Sequence, residues 1–279
     1  MMITMGFVDQ IINAIQYDFI RKGLLAGVVI ALGSSLTGSF LVLRKNALIT
    51  DGLSHVTFAA VALALLLGAN TLIVSIPLVI AASILISFLG KSANIYNDTA
   101  IGLVSAFSLA AGLILMSLKG GFNFDINSYL FGSILAVENY ELIVAGCVSV
   151  AALIFMVVYY NDLFLMTFDE DAAKIGGTKI KFINISFTVI QSVIIVIGVK
   201  IVGALLMSSM IMFPSVTALQ FAKSFKVMSI STVIISIISV IIGIMLSIIT
   251  NLPAGASIVM TNAAAFVIAY LSARLFKIK

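Results

Sequence analysis

The sequence predicts an all-α fold: a polytopic membrane bundle of eight or nine spanning helices with one short re-entrant or interfacial helix. Three observations carry that prediction. First, 62% of the 279 residues are apolar and 9% are charged, whereas a soluble domain carries about 25% charged residues; so few charges leave most of the chain to be solvated by lipid. Second, uncharged runs of about 20 residues, the length that crosses a bilayer core, recur from Gly23 to Ala273. Third, the two runs too long for one crossing are interrupted by residues that punctuate helices.

The elements follow in order. Gly23 to Leu43 is an uncharged run. Val56 to Gly90 is divided at Gly68-Ala69-Asn70 into two helices. Thr99 to Leu118, Leu142 to Asn161, Phe182 to Val199 and Ile201 to Ala222 follow, the last two separated by Lys200. Val227 to Ala273 is divided by Asn251-Leu252-Pro253-Ala254-Gly255. That gives nine segments; if the segment after Lys200 merges or re-enters, there are eight. Ile126 to Val137 is apolar but too short to cross, which fits a re-entrant or interfacial helix sheltered by protein. Residues 1–279 read as a single transmembrane domain, and no segment reads as a cleavable signal, because the apolar runs continue to the C-terminus.

Orientation follows from the basic residues. With the N-terminus outside and nine crossings, Arg44, Lys45, Lys91, Lys174, Lys179, Lys181, Lys223, Lys226, Arg274, Lys277 and Lys279 are cytoplasmic, eleven against four on the other side. The net charge of +4 does not point to nucleic acid, since no basic cluster with interleaved aromatics accompanies it. Cys147, the one cysteine, forms no intrachain disulfide and no cysteine metal cluster.

The one histidine closes the stretch Asn46 to His55. If this stretch is helical, Asp51 and His55 stand at i and i+4 on one face. A carboxylate oxygen and an imidazole nitrogen so placed can share a Zn²⁺ or Mn²⁺ ion, which accept both donor types. Ionisable residues at membrane depth are costly and line pathways. A satisfied structural pair, or a helix start with Asp51 near an N-cap, is the plainer alternative. The largest cytoplasmic loop is Asp162 to Lys181. In it Asp169, Glu170 and Asp171 open a short helix at its positive end, and Gly176-Gly177 end it. Such a helix suits docking to a cytoplasmic partner; a solvated connector is the plainer reading. Gly90-Lys91-Ser92 is no P-loop, because Leu85 stands where the first glycine is required. Gly23 and Gly27 form a small-xxx-small pair for helix packing. A single histidine rules out an H-E-x-x-H helix.

Taken in order, these motifs resemble the permease subunits of zinc/manganese ABC importers over nearly the whole chain. The resemblance rests on Phe40-Leu41-Val42-Leu43-Arg44, Asp51-Gly52-Leu53-Ser54-His55-Val56, Asp98-Thr99-Ala100-Ile101-Gly102 and Gly120-Gly121-Phe122-Asn123. It continues through Ser128-Tyr129-Leu130-Phe131-Gly132-Ser133-Ile134-Leu135, Phe168-Asp169-Glu170-Asp171-Ala172, Val202-Gly203-Ala204-Leu205-Leu206, Pro214-Ser215-Val216-Thr217-Ala218 and Leu252-Pro253-Ala254-Gly255-Ala256. The resemblance implies a non-enzymatic homodimeric permease in the cell membrane, with two copies of a separate ATP-binding subunit and an extracellular solute-binding protein. It implies no permanently bound cofactor; Zn²⁺ or Mn²⁺ is the cargo, with a leaning to the zinc branch. The family's metal-pathway residues fall on Asp51 and His55, and its ATPase-docking helix on Asp169, Glu170, Asp171, Ala172 and Gly176. Asn251 departs from the family, where an acidic residue often precedes the Leu-Pro. The implied mechanism is alternating access. An ion-coupled secondary transporter with Asp51 and His55 as a proton relay is the runner-up, without visible inverted repeats. An intramembrane enzyme lacks a nucleophile–base set.

Overall fold

In the computed structural model, the described residues are 13, 16–92, 95–118, 129, 132 and 137–275. Among them the chain forms eleven helices and no strand: α1 Asp18–Leu43, α2 Ile49–Leu67, α3 Thr71–Ser92, α4 Asn97–Leu118, α5 Asn139–Val158, α6 Tyr160–Phe168, α7 Glu170–Ile175, α8 Ile180–Val202, α9 Ala204–Leu219, α10 Phe225–Thr250 and α11 Ala254–Leu275. Eight of these are long and apolar enough to cross a membrane, so the chain is a multi-pass membrane protein. The short helix expected over Ile126–Val137 lies almost entirely outside the described residues.

The ninth expected span is the 16-residue α9. At 1.5 Å per residue it is about 24 Å long, short of a bilayer core of about 30 Å. Protein shelters it: it packs on α1, α10 and α11, and ten of its residues are buried. The chain turns before it at Gly203, not at Lys200. Gly203 has φ +92°, a left-handed value that a side chain disfavours. Lys200 stays inside α8 because its long stem reaches a partner: its Nζ lies 2.8 Å from Glu141 of α5 and 2.8 Å from the Tyr140 hydroxyl. The other end of α9 leads to Phe225, whose ring meets Tyr160 and Phe164 of α6. α9 therefore returns the chain from the Lys200 end of the bundle to the Phe225 end, as a helix shorter than the eight candidate spans.

The core is centred on α1, half of whose residues are buried. A Cβ at Gly38 would stand 2.5 Å from the Ile211 carbonyl and 2.7 Å from Ser215 Oγ, so only glycine permits this α1–α9 approach. Without a hydrophobic drive between helices in lipid, close packing and hydroxyl bonds hold such contacts. Ser39 bonds Thr232 across to α10 at 3.2 Å, and Asn262 of α11 donates to Ser209 at 3.2 Å. Gly23 and Gly27 are buried, as their spacing predicts. α2 packs closely on α4, with Gly52 against Ile101 and Gly112 against Phe58. The rising order of both pairs shows that these helices run parallel. α2 starts at Ile49, a full two turns before the expected span, and so includes the Asp51–His55 stretch.

Candidate metal site and docking helix

Asp51 lies in the first turn of α2, where a carboxylate favours the positive helix end. Leu48, the N-cap, offers no side-chain bond to the free amides. One turn on, His55 Nε2 lies 3.8 Å from Asp51 Oδ2, with the side chains 31% and 55% exposed. The opposite face of α2, with Ile49, Leu53, Val56 and Ala60, is buried. Among the described residues the pair thus lies on the less covered stripe of α2, which Ala59 continues one turn on. Ligand bonds of about 2.0–2.1 Å at a tetrahedral angle need donors about 3.3 Å apart. A small side-chain rotation from 3.8 Å meets that requirement. No group of three His, Cys, Asp or Glu residues able to hold a metal occurs among the described residues. Two donors alone would bind an ion loosely.

Beside the pair, the Tyr129 hydroxyl donates to the Ser54 carbonyl, and its ring lies 5.1 Å from Phe58. Tyr129, from a second stretch that carries the family resemblance, therefore meets the Ser54-His55 stretch on α2. The linear sequence gave no sign of this contact beyond the presence of both motifs.

The 162–181 segment carries more helix than expected. The chain bends at Tyr159 and continues as α6, so the segment holds most of α6, all of α7, a hydrogen-bonded turn and the start of α8. Asp169 is the N-cap of α7: its Oδ1 accepts from the Ala172 amide at 2.9 Å. Glu170 and Asp171 occupy the first turn, and both pair with Lys174, at 3.7 Å and 2.9 Å. The Asp171 hydrogen bond is the largest of the causes that raise the Lys174 ammonium above its ordinary value. Gly176 closes the helix by donating to Ala172, and Gly177 takes φ +79°. The Thr178 hydroxyl then donates to Asp162 at 3.1 Å, fastening the turn to α6. Ala173 is fully buried, while Ile175 is 89% exposed. α7 is thus rooted on one side and presents two carboxylates and an apolar side chain on the other. Ile175 was overlooked in the sequence; its signal was an isoleucine directly before a Gly-Gly helix stop.

The chain is 31% identical over 248 residues to the high-affinity zinc uptake system membrane protein ZnuB of Buchnera aphidicola, covering 88% of this chain and 95% of that one. It is 30% identical over 258 residues to the manganese import system permease protein ScaB of Streptococcus gordonii, covering 92% of both. Among solved structures, PsaBC from Streptococcus pneumoniae in complex with Fab superposes with a TM-score of 0.84 at 29% identity, covering 95% of each chain. The model of the ABC 3 transport family matches residues 16–273, so the chain belongs to that family.

Proposed function

We propose that this chain is the membrane-spanning permease subunit of an ABC importer that carries Zn²⁺ or Mn²⁺ into the cell. The observation that carries the reading is the Asp51–His55 pair, an oxygen and a nitrogen donor on the less covered stripe of a membrane helix. Relatives named for zinc and for manganese systems support a cargo of this class. The same names, being those of subunits of uptake systems, weigh against a self-sufficient ion-coupled carrier.

In this reading two copies of the chain face each other, and the second copy supplies the donors that one α2 lacks. An extracellular solute-binding protein delivers the ion between the protomers. The ion meets Asp51 and His55 and leaves to the cytoplasm when the bundle changes state. The N-terminus is outside and α7 is cytoplasmic, where its carboxylates and Ile175 dock a separate ATPase. Hydrolysis belongs to that partner; this chain makes and breaks no covalent bond. Coupling requires that the ion be held differently in the two states.

His55→Asp tests the site. It offers an all-oxygen set, which favours manganese, whereas imidazole suits zinc. Uptake of both ions at matched expression should shift toward Mn²⁺ relative to the parent. An active variant with an unchanged Zn²⁺/Mn²⁺ ratio would show that His55 does not touch the ion.

A further inference from the structure

Arg44 caps the C-terminal end of α1, seven positions before Asp51. Its Nε donates to Thr167 Oγ1 of α6 at 3.0 Å, and its Nη1 donates to Asn184 Oδ1 of α8 at 3.0 Å. The guanidinium also lies 5.6 Å from the centre of the Phe187 ring. One cation therefore ties the end of α1 to α8 and to the residue two positions before the N-cap of α7. The third nitrogen, Nη2, is buried and has no hydrogen-bond partner among the described residues. A buried charged donor without an acceptor is costly to keep.

Arg44 lines a cavity of about 420 Å³. Gln191 lines it too; this side chain is 2% exposed, and its Nε2 also lacks a partner among the described residues. Two unmatched donors beside one cavity call for an acceptor. Glu170 is the one carboxylate among the described residues that line the cavity. At present it is half-exposed and loosely paired, 3.7 Å from Lys174. Lys174 keeps its closer partner, Asp171, if Glu170 leaves. Burial pulls the Arg44 guanidinium below its ordinary value, and the charge of Glu170 opposes that pull.

The link onward to the metal pair is short and stiff. Arg44, Lys45 and Asn46 donate their amides back to Phe40, Val42 and Leu41 of α1. Ile49 donates to Asn46, and Gly52 donates to Leu48. The end of α1 and the start of α2 thus form one hydrogen-bonded unit, and a displacement of Arg44 is passed to the turn that carries Asp51.

We propose that Arg44 is the positioning residue that joins the docking helix to the metal-bearing turn, with Glu170 exchanging Lys174 for Arg44 in the second state of the transport cycle. A short shift of α7 toward the cavity brings the carboxylate to Nη2, and a charge-assisted bond replaces a loose exposed pair. The two arrangements give a two-state element that ATPase docking can bias. This inference rests on the reading of the chain as an ATPase-driven permease.

The test uses the importer reconstituted in vesicles with its ATPase and binding protein, and reads ions imported per ATP hydrolysed. Glu170→Gln and Arg44→Gln should each lower that ratio roughly two- to thirtyfold, the range of single-residue effects on coupling. The double variant should fall no further than the worse single, because both remove one interaction. If Arg44→Gln fails to insert, Arg44→Lys takes its place: one ammonium cannot replace Nε, Nη1 and Nη2 together, so the ratio should fall there as well. A purely structural role for Arg44 would lower yield and uptake but leave the ratio of the surviving complexes at the parent value. That outcome, an unchanged ratio in Glu170→Gln, or losses that multiply in the double variant, would overturn the proposal while leaving the functional reading intact. A parent without ATP-driven uptake would instead overturn both.

Discussion

Breaking the ion pair between Lys200 and Glu141 should destabilise the bundle in a pattern that only this geometry predicts. Glu141 keeps 10% of its side-chain exposure and Lys200 29%, with Nζ and Oε1 2.8 Å apart. Glu141 also serves α5 itself: its carboxylate accepts from the Glu138 amide at 3.1 Å, and the Glu138 side chain returns a bond, completing a capping box. Removing one partner of a fully buried pair costs about 3–5 kcal/mol. Lys200 is partly solvated, so screening reduces the loss in Lys200→Met to about 2 kcal/mol. Glu141→Gln keeps the cap, since glutamine serves at N3, and strands a lysine that can still reach water, so it costs about 1 kcal/mol. Glu141→Ala loses pair and cap together, for about 2–3 kcal/mol. The double variant Lys200→Met/Glu141→Gln leaves no charge stranded and should recover to within about 1 kcal/mol of the parent. At about 2–4 °C per kcal/mol, Lys200→Met should melt about 4–8 °C early. The chain has no tryptophan, so melting of the detergent-purified protein is followed by circular dichroism. If Lys200→Met melts with the parent, or the double variant is as unstable as the sum of the singles, the pair is not holding α8 against α5.

Other consequences are as direct. With Cys147 replaced, a cysteine at position 170 should resist an impermeant thiol reagent in intact cells and react after permeabilisation; labelling from outside would reverse the orientation. Asp169→Ala, Glu170→Ala and Asp171→Ala combined should abolish ATPase association and uptake while the bundle stays folded, because these side chains lie outside the lipid-packed core; normal association in that variant would remove α7 as the docking element. Gly38→Ala should cost about 1–3 kcal/mol by overpacking, read as a lowered melting temperature, because its Cβ would meet the Ile211 backbone carbonyl at 2.5 Å; a parent-like melt would refute the close α1–α9 contact.

The sequence by itself determined that the chain lives in a membrane, and where its long helices run. Charge depletion and uncharged runs act locally: each twenty-residue stretch pays its own solvation cost in lipid or water, so composition along the chain suffices to find it. Asp51 and His55 were legible for the same reason, since helical spacing alone puts residues i and i+4 on one face. The acidic opening of α7 and its Gly-Gly end were legible as helix-terminus chemistry. What the tertiary structure decided are contacts between residues far apart in sequence. Lys200 looked like a boundary between spans, but Tyr140 and Glu141, about sixty positions away, hold it inside α8. The break falls at Gly203 instead, and α9 holds as a short helix because neighbouring helices bury it. Arg44 read as one more cytoplasmic positive charge; its bond to Thr167, 123 positions on, makes it a joint. Solvation is a property of each segment, whereas pairing depends on which segments pack together, and only the folded bundle specifies that.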